Sequence, residues 1–476
     1  MKLPADTRWR VARATRAAAV VDADNYFRAA RQAMLKAKHQ ILLVGWDFDA
    51  RIRLAWDDDH PEAPADVGAF ITWLVKRTPG LQVHILRWDT GAMKTLGRGK
   101  TLWTLLNWRW RQPRIHLKLD GHHPMAASQH QKIVVIDDCL AFCGGIDMTD
   151  ERWDTRAHQD DNPHRRSPNG FRYKPWHDVT TALQGPVAKA LGELCRTRWE
   201  IAGGAPITPP SPAPGSDCWP ESLPAQFTDV EVAISRSQPE HQGQEEVLEI
   251  ERLYLALIAG AKTRIYAESQ YFASRRIAEA IAKRLVEDDP PEIVIINPVT
   301  AQGWLEPIAM DTARARLVAE LRKRDRHGRF RIYHPVTAGG EGIYCHAKVT
   351  VIDEVAIRIG SSNFNNRSLR LDTECDVTIT EEPETIAAIR ADLLAEHLGA
   401  DPADVAARIA RDGLIATIED LRGGGRTLVP YEIDDLNGVE KWLADNEVLD
   451  PEGPGEMFES FEKRGLLRRL RRRRNR

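Results

Sequence analysis

HQKIVVIDDCLAFCGG, residues 130–145, and HAKVTVIDEVAIRIGSS, residues 346–362, are two copies of one pattern. His130, Lys132, Asp137 and Gly144 correspond to His346, Lys348, Asp353 and Gly360, each pair 216 residues apart with no gap inside the motif. Histidine and lysine two positions apart, leading into an apolar run, point to the same face of a strand. Asp137-Asp138 and Asp353-Glu354 supply a turn. A second apolar strand then returns to a corner of small residues. Each copy offers one imidazole beside one ammonium, and neither holds a complete catalytic pair. A repeat of this length predicts two like halves that face each other across a pseudo-two-fold axis.

Reading outward, each copy is embedded in alternating strand-like and helical runs. QILLV (40–44), VHIL (83–86) and IVVI (133–136) read as buried strands in the first half; RIYA (264–267), IVII (293–296) and VTVI (349–352) do so in the second. Helical stretches at 25–38 and 245–262 precede each set. This alternation indicates α/β architecture. GGAPITPPSPAPGSDCWPESL, residues 203–223, is too rich in proline and glycine for a helix or a central strand, and reads as a linker. The expected organisation is a first half over 1–202, the linker over 203–223, a second half over 224–400, and a C-terminal helical and polar segment over 401–476.

The chain has 476 residues, 42% hydrophobic and 28% charged, which excludes wholesale disorder and a disulfide-stapled miniprotein. No stretch is long and apolar enough for a spanning helix. The N-terminal apolar patch, Ala17 to Val21, is short and follows four arginines, so it does not read as a signal peptide. Six scattered cysteines without a CxxC pair suggest reduced thiols and a cytoplasmic setting. The formal charge is −3, yet Lys463–Arg476 contain nine basic residues and no acids, so the rest of the chain carries −12. The tail is a basic arm on an acidic body. It suits docking on anionic lipid or nucleic acid, or else it is a frayed, solubilising terminus.

Two histidines and two lysines in one pocket suit phosphodiester cleavage. One imidazole can attack phosphorus and form a phosphohistidine. The other can protonate the leaving alkoxide and later deprotonate the incoming water or alcohol. The ammonium groups can hold the non-bridging oxygens. This scheme calls for no metal and no cofactor. A single HxK is more simply a surface pair on a strand; two in register are not.

The paired HxKxxxxD signature, each followed by a GG or GS corner, resembles the phospholipase D superfamily over residues 25–399. GGIDMTDERWDT (144–155), PWHDVTTALQGPVA (175–188), IYAESQYF (265–272), GSSNFNNRS (360–368) and AEHLG (395–399) resemble its lipid-cleaving branch. The resemblance implies two α/β/α sandwich halves with a helical C-terminal extension. It implies hydrolysis of phosphatidylcholine-like phospholipids to phosphatidic acid and free head group, with transphosphatidylation from the same intermediate. The partners it implies are a phospholipid at a membrane surface and a water or alcohol acceptor. It implies a catalytic set of His130, Lys132, Asp137, His346, Lys348 and Asp353, with His130 the nucleophile and His346 the general acid and base. Asp137 and Asp353, being at turns, are expected to orient structure or a histidine. Asn363, its first-half counterpart Asp147, and Glu374 are the substrate-side residues. Glu374 is expected to orient a histidine, with Asp154 or a neighbour doing so in the first half.

Other readings are weighed beside this one. A cardiolipin-synthase-like transferase usually begins with membrane-anchoring helices, which this sequence does not show. A nuclease predicts a basic cleft, which the acidic body disfavours, so no nucleic acid is expected. A non-catalytic scaffold conflicts with the intact histidines and lysines. No PX-, PH- or C2-type domain precedes the first repeat, so membrane contact, if the protein is peripheral, must come from elsewhere. LWTLLNWRWRQ (102–112) is either such a contact or a core-facing helix. Residues 158–174 form either a surface loop or a substrate entrance. His122 and His123 read as loop residues rather than zinc ligands. LGRGKT (96–101) lacks the first glycine of a P-loop, having Lys94 in its place.

Overall fold

The structure, a computed structural model, describes residues 1–56, 60–89, 99–125, 127–210, 217–301 and 310–433. The basic tail at 463–476 and residues 96–98 of LGRGKT lie outside the described residues.

The apolar runs of the repeat form hairpins. Ile133–Ile136 pairs antiparallel with Leu140–Gly144, and Val349–Ile352 with Ala356–Gly360. Asp137 and Asp353 have φ of 51° and 50°, the left-handed region that aspartate tolerates better than branched residues. Beside each hairpin run three parallel strands. They are Gln40–Gly45, Gln82–Trp88 and Ile115–Asp120 in the first half, and Arg264–Glu268, Glu292–Ile296 and Phe330–Val336 in the second. Their near-continuous Ile, Val and Leu content is what a sheet covered on both faces requires.

Two long strands join the halves. Arg10–Val21 and Phe227–Gln238 pair antiparallel with each other at the centre. The first also pairs with Val179–Gln184 and the second with Glu374–Ile379. One continuous sheet results, its strand order repeated outward from the central pair. The central strand Arg10–Val21 is weakly marked in sequence, because its exposed positions are Arg10, Val11, Arg13 and Thr15 and its buried ones mostly alanines. The outer edge of the second half carries a further antiparallel strand, Thr427–Pro430, against Phe330–Val336.

Helices cover both faces, giving an α/β fold in layers. On one face Pro186–Ile201 and Pro383–Leu398 pack on a core shared by both halves, including Val135, Cys143, Val351 and Cys375. On the other face each half has its own core. Ala23–Leu35 and Val67–Arg77 cover the first; Glu249–Gly260, Arg275–Leu285 and Thr312–Arg324 cover the second. Pro402–Asp412 and Leu414–Leu421 continue the shared face after residue 400. The linker is anchored at its end, where Cys218 and Trp219 are buried in the first half's core.

Glycine is needed at the corner. A Cβ on Gly144 would lie 2.3 Å from Thr180 Cα, and one on Gly360 would lie 2.0 Å from Asp376 Oδ1. The close approach lets each hairpin pack tightly on the next strand. Cys143 Sγ and Cys375 Sγ, 3.7 Å apart, meet across the junction of the halves.

Candidate active site

The strand positions of the HxK pairs are set by backbone bonds to the opposite half. His130 N donates to Thr373 O at 2.9 Å, and Thr373 N donates to Ser128 O at 2.9 Å. His346 N donates to His177 O at 2.7 Å, and Tyr344–Cys345 runs parallel to Trp176–His177. Each motif is therefore docked on the other half just before its apolar strand begins. Both imidazoles arrive at the junction by construction.

The ring partners are exchanged in the same way. His130 Nδ1 lies 2.9 Å from both carboxylate oxygens of Glu374. His346 Nδ1 lies 2.6 Å from Asp178 Oδ2. A carboxylate acceptor assigns the proton to Nδ1 and leaves Nε2 with its lone pair. No described residue makes a hydrogen bond to either Nε2. Glu374 is fixed in turn by the hydroxyls of Ser361 at 2.5 Å and Ser368 at 2.7 Å. Asp178 accepts from Val179 N at 2.8 Å.

The lysines lie at the foot of the same strands. Lys132 Nζ donates to His130 O at 3.0 Å and is 3.2 Å from Asp147 Oδ2. Lys348 Nζ donates to His346 O and, at 3.4 Å, to Gln270 Oε1. Gln270 also donates to the hydroxyls of Tyr271 and Tyr344, both at 2.9 Å. The halves are therefore unequal in charge: Lys132 faces a carboxylate, whereas Lys348 faces a carboxamide. Asn363, at the position equivalent to Asp147, is buried, and among the described residues its Oδ1 has no hydrogen-bond partner.

Burial and the neighbouring cations determine the protonation states. Burial, then Lys132, holds His130 well below the usual imidazole range; burial, then Lys348, does the same for His346. Both rings are neutral at pH 7 in the free protein, the form an imidazole nucleophile needs. Burial draws Lys348 down to about 7, against the pull of Asp178. Burial pushes Glu374 up to about 7, against the pull of Lys132.

The remaining residues singled out from sequence are elsewhere. Asp137 and Asp353, grouped there with the catalytic set, lie at the far end of the hairpin strands from the histidines. Asp137 accepts backbone N–H bonds from Lys38, His39 and Gln40 at 2.7, 2.8 and 2.6 Å. Asp353 accepts those of Lys262, Thr263 and Arg264 at 2.9, 2.8 and 2.8 Å. Each aspartate clamps the turn to the start of the neighbouring parallel strand. Asp154 is not the first-half orienting carboxylate. It accepts from His158 Nδ1 at 3.1 Å and from Trp176 N at 2.9 Å, while Asp178 takes the role. The strand register shows why. Gly144 pairs with Thr180 and Gly360 with Asp376, so Asp178 is the equivalent of Glu374. The identical triplets DVT at 178–180 and DVT at 376–378 align two residues out of that register.

The stretch 158–174 is a largely exposed loop with buried anchors. His158 and Arg165 are buried within it, while Phe171 is 73% exposed. The helix Gly99–Arg111 divides its tryptophans: Trp108 is buried and donates to Thr72 Oγ1 at 2.8 Å, whereas Trp103 and Trp110 are 73% and 74% exposed. Groups that could hold a metal ion lie outside the HxK pocket, around His158, His177 and His397. His123 accepts from Trp88 Nε1 at 3.0 Å and sits by Asp89, away from those groups.

Residues 33–211 match the family described as Phospholipase D, and residues 254–395 match the family described as Cardiolipin synthase, PLD-like domain. The chain belongs to the phospholipase D superfamily. The two matches enclose the two HxK motifs separately. The chain is similar to Phospholipase D alpha 1 of Carica papaya, 23% identical over 71% of this chain and 58% of that protein. It is similar to Phospholipase D A of Dictyostelium discoideum, 24% identical over 77% of this chain and 33% of that protein. The chain thus spans between a third and three fifths of these curated relatives. Its fold is similar to that of phosphatidylserine synthase from Haemophilus influenzae, with a TM-score of 0.55, 14% identity and 94% of each chain covered. The layered fold is thus shared with that protein.

Proposed function

We propose that this protein is a phospholipase D. It cleaves the distal phosphodiester bond of a phosphatidylcholine-like lipid, giving phosphatidic acid and the free head group, and passes the phosphatidyl group to an alcohol where one is present. The observation that carries the proposal is the reciprocal pairing: Glu374 of the second half holds His130, and Asp178 of the first half holds His346. Two imidazoles whose Nδ1 protons are fixed on carboxylates present two Nε2 atoms for one phosphorus.

His130 Nε2 attacks phosphorus, and the bond from phosphorus to the head-group oxygen breaks. The bound phosphate anion favours protonation of His346, whose Nε2–H passes to the departing oxygen. His346 Nε2 then takes a proton from water or alcohol, whose oxygen attacks phosphorus. The phosphorus–nitrogen bond breaks and His130 is regenerated. Lys132 and Lys348 hold the non-bridging oxygens, and the Asn363 amide adds a donor. Glu374 and Asp178 stabilise ring charge through Nδ1, as a buried carboxylate does for a catalytic histidine. Asp137 and Asp353 keep the strands in register and take no part in proton transfer.

The lipid substrate is supported by the names of the relatives. Membrane contact is supported by exposed Trp103 and Trp110 beside Arg109 and Arg111, a composition suited to the interface. No helix among the described residues is long and apolar enough to cross a membrane. Incubation with phosphatidylcholine vesicles and ethanol should yield phosphatidylethanol together with phosphatidic acid. Cleavage of DNA with lipid untouched would refute the proposal. A second reading, transfer of a phosphatidyl group to phosphatidylglycerol, is favoured by the second-half family description. Cardiolipin formed in place of phosphatidic acid would select it.

A further inference from the structure

Behind the catalytic pocket lies a second group of chemically capable side chains that the phosphodiesterase scheme does not use. Asp22 stands where the central strand enters its helix. His158 comes from the stretch after the first motif, His177 from the short strand that docks His346, and Glu396 from the helix Pro383–Leu398. Four distant parts of the chain, from both halves, meet with their ligand atoms all within 4.8 Å of one another, and every residue is buried.

We propose that this cluster is a structural zinc site. The ligand atoms are His158 Nε2, His177 Nδ1, Glu396 Oε1 and Asp22 Oδ2. Four ligands about 2.0–2.2 Å from a tetrahedral ion lie about 3.3–3.6 Å from each other. His177 Nδ1 to Glu396 Oε1 is 2.7 Å, His158 Nε2 to Glu396 Oε1 is 3.1 Å, and His158 Nε2 to Asp22 Oδ2 is 3.4 Å. Small outward shifts would centre an ion among them.

Two independent features point to a cation. Asp22 Oδ2 is buried and, among the described residues, accepts no hydrogen bond, with the His158 ring facing it at 3.4 Å. A buried carboxylate oxygen without a donor carries a large desolvation cost unless a cation faces it. The outward sides of both imidazoles are also arranged as metal-binding histidines are. His158 Nδ1 is 3.1 Å from Asp154 Oδ2, and His177 Nε2 is 2.8 Å from Glu268 Oε2. Each ring donates its distal N–H to a carboxylate and so turns its other nitrogen to the centre, the outer arrangement that orients and strengthens a histidine ligand. Arg165 and Arg156 hold Asp154 and the second oxygen of Glu396.

The charge balances. Without metal, each ring must carry a second proton to serve carboxylates on both sides. Zinc replaces those two ring protons, so two positive charges replace two. Two histidines and two carboxylates, with no thiolate among them, suit zinc among the first-row ions. The site is structural: four protein ligands leave no open position. Its place in the fold gives it a consequence. His177 precedes Asp178, which orients His346, and His177 O receives the His346 amide. The ion would pin that strand, the central strand and the second half's helix together.

The test does not depend on lipid activity, so its failure is separable from failure of the phospholipase reading. The full chain, expressed with zinc in the medium and purified without chelator or affinity tag, should contain about one zinc per molecule by elemental analysis. X-ray absorption should show only nitrogen and oxygen neighbours at about 2.0–2.2 Å. Asp22→Asn and His158→Gln should lower zinc to below about a tenth of an equivalent. Should those variants fail to fold, the wild-type chain still decides. Folded protein with no bound transition metal, and a thermal midpoint unmoved by added zinc, would overturn the proposal and leave a cluster of protonated imidazoles. Zinc with sulfur neighbours would overturn it equally.

Discussion

Glu374→Gln separates ring orientation from everything else in the site. The substitution keeps size and most packing but removes the charge beside His130. Glu374 now accepts from Ser361, Ser368 and His130 Nδ1 through two oxygens. A glutamine has one acceptor oxygen and two N–H donors in that space. If the hydroxyls keep the oxygen, the amide donates to Nδ1, and the proton moves to Nε2, the atom that must attack phosphorus. The loss then has two parts. A hydrogen bond to a charged group is worth about 1.5–3 kcal/mol. Trapping the wrong tautomer adds to this, and the comparable change in the serine-protease triad costs about 10⁴-fold. The expected loss in kcat is therefore about 10²–10⁴-fold, or about 3–5.5 kcal/mol. KM should change by less than about threefold, because Lys132 and Lys348 still hold the phosphate. The assay is head-group release from short-chain phosphatidylcholine, with the thermal midpoint measured in parallel. A loss under about tenfold in folded protein, or one confined to KM, would refute the orientation argument.

Three further outcomes follow from the same geometry. The pH profile of kcat/KM should be narrow and bell-shaped, with both limbs near 7. Glu374 must lose its proton on the acid side, and Lys348 must keep its own on the alkaline side; burial brings both to about 7. Lys348→Arg should abolish the alkaline limb below pH 9, whatever its effect on rate; an unchanged limb would mean Lys348 is not its source. Asp353→Ala should cost about 3 kcal/mol of stability by urea unfolding while leaving kcat of the folded fraction within about twofold, since its bonds go to backbone amides. Burial raises Asp353, but its backbone donors outweigh this and hold it below the ordinary value, so its contribution is present above the unfolded value and lost as pH falls through the folded one. The gap between wild type and variant should thus close in strong acid, and a gap that widened would contradict the clamp. Trp103→Ser with Trp110→Ser should reduce vesicle binding at least threefold, measured by sedimentation, with hydrolysis of a soluble phosphodiester unchanged; equal binding would return that helix face to plain solvent exposure.

Much of the fold was legible because the repeat is compact. His130 through Gly144 and His346 through Gly360 encode a strand, a turn and a strand with no insertion, so period-two patterning and turn chemistry agree. Glu374 was legible as a partner for a histidine. That its ring belongs to the other half was not, because the exchange arises from the antiparallel pairing of Arg10–Val21 with Phe227–Gln238. Asp178 was missed for a related reason. The insertion at 155–174 shifts the first half, and the matching DVT triplets suggest a wrong alignment that only strand register corrects. Gln270 stands in the quoted IYAESQYF run, but its bond to Lys348, and that to Tyr344 behind it, are tertiary contacts that no local pattern marks. In helix Gly99–Arg111 two positions, about 200° of rotation, separate buried Trp108 from exposed Trp110, a division that composition alone does not reveal. His158, His177 and His397 lie far apart in sequence at irregular spacing. Only folding brings them together, so no spacing rule could have found them.

Convergence of both HxK pairs on one phosphorus is tested most directly by a crystal structure grown with orthovanadate. The account predicts a trigonal bipyramid with His130 Nε2 at one apex and the opposite apical oxygen in hydrogen-bond reach of His346 Nε2. Lys132 and Lys348 should contact the equatorial oxygens. Vanadate bound to one histidine alone, with the second ring out of reach, would contradict it.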